Sequence, residues 1–313
     1  MLSYVIRRVA LAVVVLFGLL VATFFIIHLV PGDPVRIVLA GRANPAEIAR
    51  VRHQLALDRP IGDQFTLYVS RTLQGHFGTS FTLDAPAGQI IGQRIGPSAA
   101  LIGYGMLLSL LFGVPLAIVA ALRPNGWLDN AIRVGTGLTF AMPLFWLALM
   151  LSLIFGLELR WFPVAGYSGG IGGILRTLTL PALALGLALT TVVVRTLRSS
   201  LLEVLQSEYI EAARSRGFSE LRVVGKHALR NSFMSTLTIL SINIGFLIGG
   251  TVVLEQVFQI PGVGSLLVDA VEKRDYQLVQ ALVLLAGAAV VLASLAADII
   301  QAFLDPRVRL AGR

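Results

Sequence analysis

Tyr209-Ile210-Glu211-Ala212-Ala213-Arg214-Ser215-Arg216-Gly217, followed by Lys226-His227-Ala228-Leu229-Arg230-Asn231, is a polar, basic, helix-forming insert between two long apolar runs. The rest of the chain is suited to lipid, so a segment kept in water is there to be presented. Apolar residues make up 56% of the 313-residue chain, charged residues only 13%, and mean hydropathy is +0.82. Soluble domains carry about 25% charged residues, so this composition is that of an integral membrane protein. Cysteine is absent, which excludes disulfides, thiolate metal sites and cysteine nucleophiles. A net charge of +8 would suit nucleic acid, but in so apolar a chain the placement of the charge decides its meaning.

Apolar runs of spanning length, about 20 residues, lie at Val9–Val30, Ser98–Leu122, Ile132–Leu157, Thr177–Leu197, Phe233–Val257 and Leu278–Leu304. None shows the alternation of an outer-membrane barrel, so the backbone must satisfy itself within helices. The expected fold is an all-α polytopic membrane protein of about six transmembrane helices. Pro181 and Arg195 shorten the clean apolar core of the fourth. The first run follows Arg7 and Arg8, as a signal peptide would. It exceeds the usual apolar region of about 7–15 residues and lacks a small-residue cleavage site, so an uncleaved helix is expected. With the N-terminus inside, the inner segments collect nearly all of the net charge of +8. Most outer basic residues fall in one long loop, which weighs little. Both termini and the insert are therefore expected on the cytoplasmic side, and nucleic acid loses its support.

Three parts follow: 1–30, a tail and the first helix; 31–97, an outer loop subdomain; 98–313, a five-helix core with the insert at 198–232. The outer loop is too long for a simple connection. Asn44-Pro45-Ala46-Glu47 supplies the N-cap, proline and glutamate that start a helix, with Ile48, Val51, Leu55 and Ala56 on one face. A second short helix is expected over Gln64–Leu73, and Gly75 and Gly78 read as turns. The loop reads equally as a packed cap and as a docking platform for an outside partner. Pro115, Pro143 and Pro181 are expected to make packing kinks. No tandem repeat of about 20–50 residues appears, which argues against a solenoid.

Within the insert, Leu201 to Arg216 are mostly competent helix formers, and Gly217 stands where a C-cap is wanted. Arg214 and Arg216 complement the dipole of the last turn. Ser219 can cap a second helix running toward Asn231, so two helices should meet near Gly217. Ala212 and Ala213 offer a surface without long side chains, on which another protein's groove could approach the backbone. An ordinary solvated loop needs no such length.

Glu211-Ala212-Ala213, Gly217 and His227-Ala228-Leu229-Arg230-Asn231 resemble the EAA loop of binding-protein-dependent ABC importer permeases. Further segments resemble one branch, the peptide/nickel permeases of the dipeptide and oligopeptide type. They are Ile6-Arg7-Arg8, His28-Leu29-Val30-Pro31-Gly32-Asp33-Pro34, Leu57-Asp58-Arg59-Pro60, Phe77-Gly78-Thr79-Ser80, Arg195-Thr196-Leu197-Arg198-Ser199-Ser200, Glu255-Gln256-Val257-Phe258, Pro261-Gly262-Val263-Gly264, Arg274-Asp275-Tyr276 and Leu304-Asp305-Pro306-Arg307. They run in the family's order, and the long first outer loop resembles the first of its two permease subunits. Two departures stand out. Ser232-Phe233-Met234-Ser235 lacks the family's proline, so a softer kink is expected there. Gly75-His76-Phe77-Gly78 replaces a Gly-Asp-Leu-Gly type sequence and its acid.

The resemblance implies a channel-forming permease subunit of an ATP-driven peptide importer in a prokaryotic plasma (inner) membrane. Its implied partners are a second permease subunit in a heterodimer, two cytoplasmic ATPase subunits and an extracytoplasmic solute-binding protein. Coupling to the ATPase is assigned by resemblance to Tyr209, Glu211, Ala212, Ala213, Arg214, Gly217 and His227, moved as a lever. The substrate path is assigned Glu255, Pro261 and Gly262, although Glu255 could instead pair with Arg274. No catalytic residue, cofactor or metal is expected of this chain; ATP and magnesium are used by the ATPase partners. Its two lysines, Lys226 and Lys273, lie outside any Gly-x-x-x-x-Gly-Lys-Ser/Thr setting. Arg195 and Asp298 are expected to anchor cytoplasmic helix ends, and His28 to hydrogen-bond at its Pro-Gly turn. The four histidines form no His-Glu-x-x-His pair and no Gly-x-Ser-x-Gly elbow appears, so protease and hydrolase readings fail. A nickel or other small-solute importer of the same family is the alternative. A secondary transporter would need buried acidic pairs and inverted repeats, neither of which the sequence displays, and the ordered motifs argue against a mere scaffold.

Overall fold

With no water in a bilayer to satisfy the backbone, apolar runs must fold as helices, and this chain does so almost throughout. A computed structural model describes residues 2–29, 45–54 and 57–304. The elements are α1 (Leu2–Leu29), α2 (Pro45–Gln54), α3 (Ile61–Leu73), an antiparallel hairpin of β1 (Thr79–Ser80) and β2 (Ala85–Pro86), and α4 (Ala87–Leu122). They continue with α5 (Trp127–Ala141), α6 (Leu144–Leu151, prolonged by a π-turn over Ser152–Glu158), α7 (Gly170–Thr177) and α8 (Thr179–Leu205). The chain closes with α9 (Glu208–Ser215), α10 (Glu220–Ile242), α11 (Ile244–Val257), α12 (Val263–Glu272) and α13 (Tyr276–Leu304).

Among the described residues, α1, α4, α8 and α13 are each long and apolar enough to cross a membrane. Two further spans are bent pairs, α5 with α6 at 103° and α10 with α11 at 54°, giving up to 6 in all. The first bend exceeds the expected kink. Pro143 cannot continue a helix and forces Met142 to extended backbone (φ −77, ψ 134). Pro115 lies inside the unbroken α4, and Pro181 falls in the first turn of α8, where its missing N–H costs nothing. The second break comes at Asn243, whose Nδ2 turns back to donate to the Ile239 carbonyl at 2.8 Å. The soft kink expected near Ser232 is absent, since α10 passes through a π-turn at Val223–Ala228 and runs on unbroken.

Several boundaries move. α4 begins at Ala87, so residues 87–97 belong to a helix rather than to the outer loop. α3 starts at Ile61 instead of Gln64. α8 continues to Leu205, which leaves Arg195 inside the helix and not at its end. α2 is described over Pro45–Gln54. Asn44, the apolar face of α2, the turn at Pro31–Pro34 and the tail at Asp305–Arg307 lie outside the described residues.

The centre of the bundle is the α4–α8 pair. Gly105, Ser109 and Gly113 recur every fourth residue on α4 and let α8 approach closely. A Cβ on Gly105 would come 2.9 Å from Leu185 Cδ2, and one on Gly186 2.9 Å from the Gly105 carbonyl oxygen. In lipid, such close packing of small residues replaces the hydrophobic effect between helices. Leu101, Leu108, Leu185, Leu189, Leu247 and Leu254 fill the surrounding core. α1 lies against α13, with Leu19 over Gly287. Arg8 Nη1 meets Asp298 Oδ2 at 2.9 Å, so Asp298 anchors by pairing rather than by reaching for water. Gln280 Nε2 ties the other end to the Thr23 carbonyl at 3.0 Å.

Candidate functional site

The insert folds as α9, a turn, and the start of α10. An eight-residue helix does not stand alone in water, so its anchorage matters. Ile210 and Ala213 are buried against Ala117 and Ala121 at the end of α4, Leu197 and Leu201 of α8, and Val223 and Ala228 of α10. Gly217 adopts φ +77, a left-handed turn that side chains resist, and sends the chain into α10. Across that turn Arg214 Nε donates to Glu220 Oε1 at 2.8 Å. Phe218 stacks on His227 at 5.7 Å between centroids, with the Arg222 guanidinium 5.5 Å over the same ring. Asn231 Nδ2 donates to the Tyr209 hydroxyl at 2.8 Å.

Of the residues assigned to coupling, Tyr209, Arg214, Gly217 and His227 thus fasten α9 to α10, directly or through the turn. Glu211 and Ala212 point outward. Ala213 is a correction: three residues after Ile210 on a helix, it shares the buried face and offers nothing to a partner. The outward stripe runs Glu208, Glu211, Ala212, Ser215, with a single alanine as its low point.

The residues assigned to the substrate path form an internal lock instead. Glu255 is fully buried near the end of α11. Its Oε1 accepts from Ser98 Oγ of α4 at 2.5 Å, and its Oε2 accepts from the Ser265 backbone N–H at 2.8 Å. Ser98 Oγ in turn accepts from the Val263 N–H at 2.8 Å. The carboxylate therefore sits at the N-terminus of α12, where free N–H groups and the helix dipole favour an anion. Arg274 is not its partner. Gly262 leaves room for this, since a Cβ there would overlap the Glu255 carboxyl, and one on Gly264 would come 2.6 Å from Val252 Cα. Pro261 precedes Gly262 in the same loop. The motif Pro261-Gly262-Val263-Gly264 seats Glu255, whose carboxyl is wholly occupied by protein partners in this chain.

Two further buried acids escaped the sequence reading. Asp275 Oδ2 accepts from Ser80 Oγ at 2.6 Å and Thr82 Oγ1 at 2.8 Å, while Oδ1 accepts from the Leu278 N–H at 3.2 Å. Gln277 Oε1 accepts from the Thr79 N–H at 3.0 Å. Two motifs far apart in sequence, Thr79-Ser80 and Arg274-Asp275-Tyr276, here close the outer hairpin onto α13. Asp129, fully buried, accepts from Arg198 through Nε at 2.6 Å and Nη2 at 2.5 Å, and from the Asn125 N–H at 2.8 Å. A signal for it existed: an arginine within a span demands an acid, and Asp129 alone supplies one in the connection 123–131.

Elsewhere, His28 Nδ1 faces the Phe24 carbonyl at 3.1 Å and Nε2 faces Gln64 Oε1 at 3.0 Å, joining α1 to α3. Among the described residues no group of three His, Asp or Glu could hold a metal ion. In the outer loop, His53 Nδ1 lies 2.7 Å from Asp58 Oδ2 and its hydrogen bond holds that carboxyl below the usual carboxylate range. Burial pushes the Tyr68 phenol up, against the opposing hydrogen bond to Thr23 Oγ1 at 2.9 Å.

Residues 113–310 match the family described as "Binding-protein-dependent transport system inner membrane component", and residues 1–93 match the N-terminal domain of such membrane components. The chain is 40% identical to the glutathione transport system permease protein GsiC of Salmonella choleraesuis (strain SC-B67), over 99% of both chains. It is 37% identical to GsiC of Escherichia coli (strain K12), again over 99% of both. Among solved structures, a chain of the inward-facing MetNI methionine ABC transporter superposes with TM-score 0.58 at 16% identity, covering 69% of this chain and 97% of that one. That likeness is one of fold.

Proposed function

Since the chain belongs to the family of binding-protein-dependent transport system inner membrane components, and is a multi-pass permease subunit of a peptide-type ABC importer, we propose that α9 is the element through which an ATPase partner drives it. The end of the bundle bearing α9 is cytoplasmic in this reading, which the concentration of arginines there supports. Two cytoplasmic ATPase subunits use ATP and magnesium. A second permease subunit completes the channel as a heterodimer, and an extracytoplasmic binding protein delivers cargo. This chain contributes no catalytic group and no cofactor. Its likeness to glutathione transport permeases supports a short peptide as cargo.

One observation carries the reading. The outward stripe of α9 is fixed through Ile210 and Ala213 to the ends of α4 and α8, the closely packed pair at the centre of the bundle. A displacement of α9 is thereby a displacement of the central helices, and nucleotide can bias a two-state bundle only through such differential contact. Gly217→Trp or Glu211→Lys should leave insertion intact while ATP hydrolysis proceeds without uptake. Space is not the issue at Gly217, where nothing lies within 4 Å of an added Cβ; the left-handed backbone is. Normal uptake by either variant refutes the lever.

A further inference from the structure

The cleft between α5 and α8 holds a charge imbalance that neither the α9 knob nor the buried locks use. It encloses about 610 Å³, within the roughly 300–1,000 Å³ of sites that take small organic ligands. Its lining residues recur at three- and four-residue spacings along both helices, so one face of each is turned into it. Three arginines line it, Arg133, Arg195 and Arg198. That of Arg198 is neutralised by Asp129. Arg133 and Arg195 are exposed and make no direct ion pair among the described residues; Asp129, already paired with Arg198, attracts Arg133 from outside the cleft lining, so the positive excess remains.

Both arginines belong to apolar spans, where a fixed charge is costly unless it faces water or a ligand. Arginine cannot escape the cost by losing its proton, and its planar fork matches a carboxylate with two parallel hydrogen bonds. The walls are held in register, because Thr191 Oγ1 of α8 donates to the Thr136 carbonyl of α5 at 2.8 Å. Asn130 adds a neutral amide beside the charges. We propose that Arg133 and Arg195 receive the carboxylate of the cargo peptide, making this cleft the anion-selecting part of the translocation path. The proposal rests on the reading of this chain as a peptide permease. Its exposed, open geometry suits transient binding, since cargo must leave again.

The test uses the whole transporter in liposomes, with this chain, the second permease subunit, the ATPase subunits and loaded binding protein. Uptake per ATP hydrolysed is compared for a tripeptide with a free C-terminal carboxylate and the same tripeptide amidated. Binding-protein loading is measured separately and both cargoes are supplied at equal loaded concentration. For the double variant Arg133→Gln/Arg195→Gln, carboxylate cargo should fall about tenfold or more, the loss of one or two charge-assisted hydrogen bonds, while amidated cargo holds its rate. Arg133→Lys/Arg195→Lys should restore part of the difference. An equal fall for both cargoes, no fall for either, or loss of the second permease subunit on co-purification overturns the proposal. The last result would make the arginines an interface for that subunit's acids. A wild-type transporter that moves neither peptide under ATP overturns the peptide-permease reading itself.

Discussion

Ile210→Ala should detach α9 from the bundle without unfolding the bundle. The side chain is completely buried among Ala117, Leu197, Leu201, Val223 and Ala228, and truncating such an isoleucine costs about 2–5 kcal/mol. What else holds α9 is weaker. The Arg214–Glu220 pair is exposed at both ends and is worth about 0–1 kcal/mol. The bond from Asn231 to Tyr209 is exposed too and adds about 1 kcal/mol. An isolated helix of this length contributes almost nothing of its own. The Ile210 contact is therefore worth more than either polar tie, and with its loss local opening should become at least about 30-fold more frequent. The assay is amide hydrogen exchange of the protein in nanodiscs, read over residues 208–216 against the α4 and α8 interiors. Exchange should accelerate in α9 alone, with the thermal midpoint little changed. In the assembled transporter the same variant should hydrolyse ATP with diminished uptake. Unchanged exchange over α9 would refute the anchorage; accelerated exchange with intact uptake would refute the idea that the knob must be rigid.

The Glu255 lock gives a second outcome. Gly262→Ala would push a methyl into the Glu255 carboxyl and displace it from two charge-assisted hydrogen bonds, a loss of about 3 kcal/mol or more. The thermal midpoint should drop clearly, whereas Gly249→Ala, with nothing within 4 Å of the added Cβ, should be neutral or stabilising; equal midpoints for the two would contradict the lock. In the outer loop, the Asp58 carboxyl should titrate below the ordinary carboxylate range because of its hydrogen bond from His53. A depressed folded value means that the pair's contribution is present above the unfolded carboxylate pKa and disappears as pH falls through the folded one. Carboxyl-carbon NMR should show Asp58 moving up in His53→Ala, and an ordinary wild-type titration would disprove the contact.

The spans were legible because composition and length alone force helices in lipid, and every apolar run reappears within a helix or a bent pair. The 103° bend was not, since a proline in a membrane helix yields anything from no break, as at Pro115, to a full one, as at Pro143. The choice lies in tertiary contacts. Capping chemistry located Gly217 correctly. Ala213 was misplaced although helical spacing from Ile210 gave its face, because identical neighbours invite the same reading. Glu255 was read for its charge, and its true partners, Ser98 and the N–H groups of α12, are silent in a sequence. The pairing of Asp129 with Arg198 was legible by contrast, since the connection 123–131 offers one acid to an arginine that needs one.

The absence of cysteine from this chain permits one direct test of the lever. Ala212→Cys places a single thiol on the outward stripe of α9, and in inverted membrane vesicles it can be cross-linked by a short bifunctional reagent. The account predicts an adduct with the ATPase subunit whose yield changes between nucleotide-free and ATP-bound states. Labelling of that thiol by an impermeant reagent applied from the outer face, with no ATPase adduct in either state, would contradict it.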